Sequence, residues 1–111
     1  MAGNDEDARR RVEALVRPGG VLVGEAGASP DIRVLEGTRT DAKQMFERMH
    51  RGEGRVLDVP SYPGTLVELP GGGRVGFRTF SSKSPDRTRA TLDVNVPGLE
   101  DLSKLKFNEP Q

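Results

Sequence analysis

The chain has no cysteine, no tryptophan, one histidine, one tyrosine and no net charge. Each scarcity narrows what the protein can do. Without cysteine there is no disulfide, no thiol nucleophile and no thiolate zinc site. One histidine is too few for a histidine-rich metal centre, so neither metal nor cofactor is expected. No apolar run approaches the roughly 20 residues needed to cross a bilayer. The N-terminus also lacks the apolar core of a signal peptide, so this fragment reads as soluble, without a membrane partner. Seventeen basic residues balance seventeen acidic ones, and no global field draws in a polyanion. Only 33% of the 111 residues are hydrophobic, which bounds the chain to one domain, residues 1–111, with a small aliphatic core.

What is present is unevenly spread. Thirteen of the seventeen basic residues are arginine, the side chain whose planar fork matches phosphate. Between Gly71 and Thr91 stand Arg74, Arg78, Lys83, Arg87 and Arg89 against Asp86 alone. Acidic residues gather instead at Asp5, Glu6 and Asp7 and again at Glu100, Asp101 and Glu109. A neutral protein with a local basic patch points to an anionic ligand.

Fourteen glycines and eight prolines predict short elements and many turns. Residues 1–5 read as a disordered polar lead and residues 6–52 as a helical part. From Asp7 to Arg17, Ala8, Val12, Leu15 and Val16 recur at helical spacing until Pro18-Gly19-Gly20 stops them. Val21–Val23 and Ile32–Leu35 are short extended candidates. A second helix opens at Thr40, expected as its N-cap, and carries Ala42, Met45, Phe46 and Met49 as an apolar stripe until Gly52 and Gly54. Arg55–Val59 suits a short strand. Residues 55–107 then read as an antiparallel sheet, with strands at Thr65–Leu69, Arg74–Phe80, Ala90–Val96 and Lys104–Phe107. The expected fold is α+β: two N-terminal helices packed on a four-stranded antiparallel sheet.

Alternation within those strands locates the candidate chemistry. Arg74, Arg78 and Phe80 share one side of their strand, with Val75, Phe77 and Thr79 on the other. Leu92, Val94 and Val96 oppose Thr91, Asp93 and Asn95. Arg78 is either an anion-binding fork or half of an ion pair with Asp93. Ser82 and Lys83, in the loop Ser81–Ser84, offer a hydroxyl and an ammonium to a phosphate, or simply face solvent. Thr91 and Asp93 either position and deprotonate a substrate or pair across strands, while Asn95 is expected to cap the Pro97-Gly98 turn. His50 suits acid–base chemistry near neutrality, and equally suits a helix C-terminus. Pro70-Gly71-Gly72-Gly73 lacks the Lys-Ser/Thr pair and helix of a phosphate loop, so it is a hairpin turn.

The blocks SYPGTLVELPGGGRVGFR, SSKS, TLDVNVPG and KLKF, preceded by GGVLVGEAGASPDIRVLEG and a helix, run in that order from Pro18 to Phe107. In this they resemble the C-terminal RNase toxin domain of bacterial polymorphic toxins, of the contact-dependent inhibition and Rhs types. That domain is grouped with a barnase–EndoU–colicin–RelE-like superfamily. The resemblance implies a barnase/RelE-like fold and metal-independent endoribonuclease activity, often on tRNA, through attack of the ribose 2′-hydroxyl to give a 2′,3′-cyclic phosphate. It also implies a cognate immunity protein, and delivery to a target cell's cytoplasm as the end of a secreted effector. The motif positions are Arg78, Ser82, Lys83, Thr91 and Asp93; Arg74, Arg87 and Arg89 would add substrate contacts, and His50 competes with Asp93 as base. One departure is the longer, more basic loop Ser84–Ala90, where the family pattern has a short Gly-Pro segment. The chain is expected to be a monomer. The alternative reading is a non-catalytic RNA-binding module, or a degenerate toxin, using the same basic face.

Overall fold

The computed structural model describes residues 2–79 and 88–109, with side chains described from residue 8 onward. The first helix, α1, runs Ala2–Val16, so the polar segment read as a lead is helical from residue 2. Its buried stripe is Ala8, Val12 and Val16, spaced four apart on one face. Pro18 cannot continue the helix, and Pro18–Gly20 forms a single 3-10 turn with Gly19 at φ 69°. The extended piece expected at Val21–Val23 does not form a strand. Val21 is exposed, and the Val23 amide turns back to donate to the Val16 carbonyl.

Two short strands follow, β1 at Glu25–Ala26 and β2 at Ile32–Glu36. The second helix, α2, spans Arg39–His50. Its N-cap is Thr38 rather than Thr40, because a capping box forms there. The Thr38 hydroxyl accepts from the Asp41 amide, and the Asp41 carboxylate accepts from the Thr38 amide at 2.8 Å. Ala42, Phe46 and Met49 are its buried face. The remaining strands are β3 (Arg55–Leu57), β4 (Gly64–Glu68), β5 (Arg74–Thr79), β6 (Thr88–Asn95) and β7 (Lys104–Asn108).

The strands form one seven-stranded sheet in the order β1-β2-β7-β6-β5-β4-β3. This corrects the expected architecture of two N-terminal helices on a four-stranded antiparallel sheet. The helices are not consecutive, since β1 and β2 lie between them, and the sheet is mixed. Strands β4 to β7 are antiparallel to one another, but β2 runs parallel to β7. The physical cause is a long-range clamp. The Asp31 carbonyl accepts from the Ser103 amide at 2.8 Å, and the Ser103 hydroxyl donates to the Asp31 carboxylate. Residues 31 and 103 are thereby locked side by side, and β2 is fed onto the outer edge of β7. Nothing local in the sequence encodes that pairing. On the far edge β3 adds to β4 in antiparallel register.

Both helices cover the same face of the sheet. Helix α2 packs on β5 and β6, α1 packs on α2, and the Phe46 and Phe77 rings stack with centroids 5.8 Å apart. The core between them includes Val12, Met49, Val75, Leu92 and Leu105, each without solvent exposure. Because side chains alternate along a strand, the residues between those core positions project from the opposite face.

Candidate functional site

The face of the sheet away from the helices carries the sequence candidates Arg74, Arg78, Thr91, Asp93 and Asn95. Register places its side chains in rows across the strands. One row runs Gly64, Arg78, Thr91, Lys106; the next runs Leu66, Gly76, Asp93, Lys104; a third runs Glu68, Arg74, Asn95. On β4 to β7 this face therefore bears four cations, Arg74, Arg78, Lys104 and Lys106, against the two carboxylates of Glu68 and Asp93. The local excess of positive charge is what the neutral composition conceals.

Asp93 is the hub. Its carboxylate accepts from Arg78 Nε at 2.7 Å and Nη2 at 3.2 Å, a two-pronged ion pair, and from the Tyr62 hydroxyl at 2.6 Å. The side chains of Arg78 and Asp93 are 22% and 25% exposed, so the pair is screened from water yet reachable. Of the two readings of Arg78, the ion pair with Asp93 is the one the geometry displays.

Tyr62 reaches this pair from the connection between β3 and β4, where its amide donates to the Val59 carbonyl in a turn. It lies over Gly76, the one residue in its row that leaves room; a Cβ at that position would overlap the Tyr62 hydroxyl. Burial, then the hydrogen bond to Asp93 and its negative charge, push the phenol well above its usual pKa. Tyr62 is thus a neutral proton donor at physiological pH.

Thr91 sits between Arg78 and Lys106 in the register and is fully buried. Its hydroxyl has no hydrogen-bond partner among the described residues. A buried hydroxyl left unpaired costs about 1–3 kcal/mol.

The other sequence candidates are dispersed. His50 lies on α2, against the opposite face of the sheet, with its ring edge-on to Phe46 at 4.8 Å and its Nδ1 accepting from the Gly52 amide. Burial holds its pKa below the usual value, with Arg11 acting in the same direction and Glu47 against it. The sheet separates it from Asp93. Arg89 is committed to Glu109 through Nε at 2.9 Å and to the Thr88 carbonyl. Asn95 does not cap the turn after β6; that turn closes through the Leu99 amide on the Val96 carbonyl. Ser82, Lys83 and Arg87, with Phe80, lie outside the described residues.

Tyr62, Lys104 and Lys106 were missed in the sequence. The lysines were legible, because they alternate with Leu105 and Phe107 and so fall in phase with Asp93. Tyr62 was not, since a turn residue has no periodicity that assigns it a face. Among the described residues no three histidine or acidic side chains converge as a metal site. No described helix is long and apolar enough to cross a membrane. No protein-family model, curated protein or solved structure matches the chain.

Proposed function

We propose that the uncovered sheet face binds RNA and cleaves it as an endoribonuclease, as the toxin-like motifs imply. The observation that carries this reading is the cluster of Arg78, Asp93 and Tyr62 beside the Thr91 hydroxyl, which has no partner among the described residues. It joins a proton acceptor, a proton donor and a cationic anion site within one hydrogen-bonded group. With His50 across the sheet, the role of base falls to Asp93.

The phosphodiester sits on the row Arg78, Thr91, Lys106. Asp93 takes the proton of the ribose 2′-hydroxyl, whose oxygen attacks the adjacent phosphorus. The P–O5′ bond breaks as Tyr62 gives its proton to the leaving oxygen, and Asp93 returns the first proton to Tyr62 along their 2.6 Å hydrogen bond. The products are a 2′,3′-cyclic phosphate and a free 5′-hydroxyl. Arg78 and Lys106 stabilise the charge that develops on the non-bridging oxygens. DNA lacks the nucleophile and is left intact. On this reading tRNA is the foremost substrate class, the chain acts inside a target cell as part of a delivered effector, and an immunity protein restrains it.

The test is incubation of the purified protein with total bacterial RNA in EDTA, followed by a denaturing gel and end-group analysis. Discrete fragments ending in cyclic phosphate are expected, with none from Asp93→Asn. Intact RNA in the presence of folded protein would overturn the reading.

A further inference from the structure

Next to the Arg78–Asp93 pair, the same face opens into a cleft of about 540 Å³ that has Asp93 in its wall. This is within the range of small-ligand sites and ample for one nucleotide. Its apolar lining is aliphatic, from Leu66, Val96, Leu99 and Leu102. Six polar side chains border it, Arg74, Asp93, Asn95, Glu100, Ser103 and Lys104. Asp93 is held by Arg78 and Tyr62, and Ser103 by Asp31, whereas the side chains of Arg74, Asn95 and Glu100 make no hydrogen bond or ion pair among the described residues.

We propose that this cleft is a nucleobase subsite for the nucleotide flanking the scissile phosphate, reading the base through Asn95 and Glu100 and holding its phosphate with Arg74. The inference rests on the RNA reading above and adds a specificity to it. A flat base face suits the aliphatic lining, whereas a bare sugar phosphate does not. Asn95 offers both a donor and an acceptor, but Glu100 offers acceptors only. Bases presenting an amino group, namely adenine, cytosine and guanine, can donate to the carboxylate. Uracil presents a lone ring N–H between two carbonyl oxygens, and those oxygens meet Glu100 unfavourably. The subsite therefore favours amino-bearing bases over uracil.

The experiment is an NMR titration of the ¹⁵N-labelled protein with the four nucleoside 3′-monophosphates at millimolar concentration, with ribose 5-phosphate as the base-free control. Amide shifts should cluster at Leu66, Asn95, Glu100 and Leu102, and the amino-bearing nucleotides should bind at least about fivefold tighter than the uridine nucleotide. Glu100→Gln, which supplies a donor as well as an acceptor, should narrow that gap to about twofold with the spectrum otherwise unchanged. Arg74→Ala should weaken all four about equally. Base-blind binding, shifts located elsewhere or no shifts would overturn the subsite. The titration does not depend on turnover. Base-selective binding without RNA cleavage overturns the ribonuclease reading alone, and cleavage with a base-blind cleft overturns this one alone.

Discussion

Arg78 stands in register with Thr91, yet its guanidinium reaches diagonally to Asp93, two residues further along β6. Among the described residues the Thr91 hydroxyl has no partner, and the charge of Arg78 is fixed beside it.

Removing the orphan tests this directly. Thr91→Val keeps the shape and deletes the hydroxyl, so urea unfolding should show a protein about 1 kcal/mol or more stabler than the parent. RNA binding should weaken in the same variant. A loss of stability would show that the hydroxyl has a partner.

Tyr62→Phe removes the proposed acid and leaves the ring in place. Single-turnover cleavage should slow about 10²-fold or more, with little change in the RNA concentration needed for half-saturation. Arg78→Ala should cost about 10²–10³ in turnover. If instead Arg78→Ala loses only salt-sensitive affinity, the face is a binding surface without catalysis.

Gly76→Ala sets a methyl against the Tyr62 hydroxyl. It should destabilise the protein by about 1–3 kcal/mol, and considerably less when Tyr62 is already alanine. A double-mutant cycle read by denaturant unfolding measures that coupling. Equal costs in both backgrounds would mean that Gly76 is needed for something other than clearance.

The pH dependence is predicted from His50. Its pKa is lower in the folded protein than the ordinary value near 6.5, so the unfolded chain binds the proton more tightly. Its contribution to stability is complete above pH 6.5 and is lost as the pH falls through the folded value. His50→Gln should flatten that part of the stability–pH curve and leave RNA cleavage within about twofold, because the sheet lies between His50 and Asp93.

The helix cap offers a control remote from the site. Thr38→Ala removes one half of the capping box and should cost about 1 kcal/mol of stability without altering cleavage.

Much of this was legible along the chain. Alternation alone separates Val75, Phe77, Leu92 and Val94 from Arg74, Arg78, Thr91 and Asp93, because a strand has a fixed period of two. The stripe Ala42, Phe46, Met49 announces α2 in the same way, although its start shifts from Thr40 to Thr38. The cap is chosen by a reciprocal bond with Asp41 rather than by residue type. Segments as short as Glu25–Ala26 carry too few residues for any periodicity, and their strand character comes from the neighbour they pair with.

The sequence by itself determined which residues face the core and which face outward, since side-chain direction is a local property of helix and strand. It also determined that the outward face of the C-terminal strands is cationic. Only the tertiary structure decided that β2 runs parallel to β7, through the contact of Asp31 with Ser103. It alone decided that Tyr62 meets Asp93 and that His50 does not. Those outcomes depend on contacts between residues far apart in the chain, and loop closure and sheet assembly select such partners only when the whole core forms.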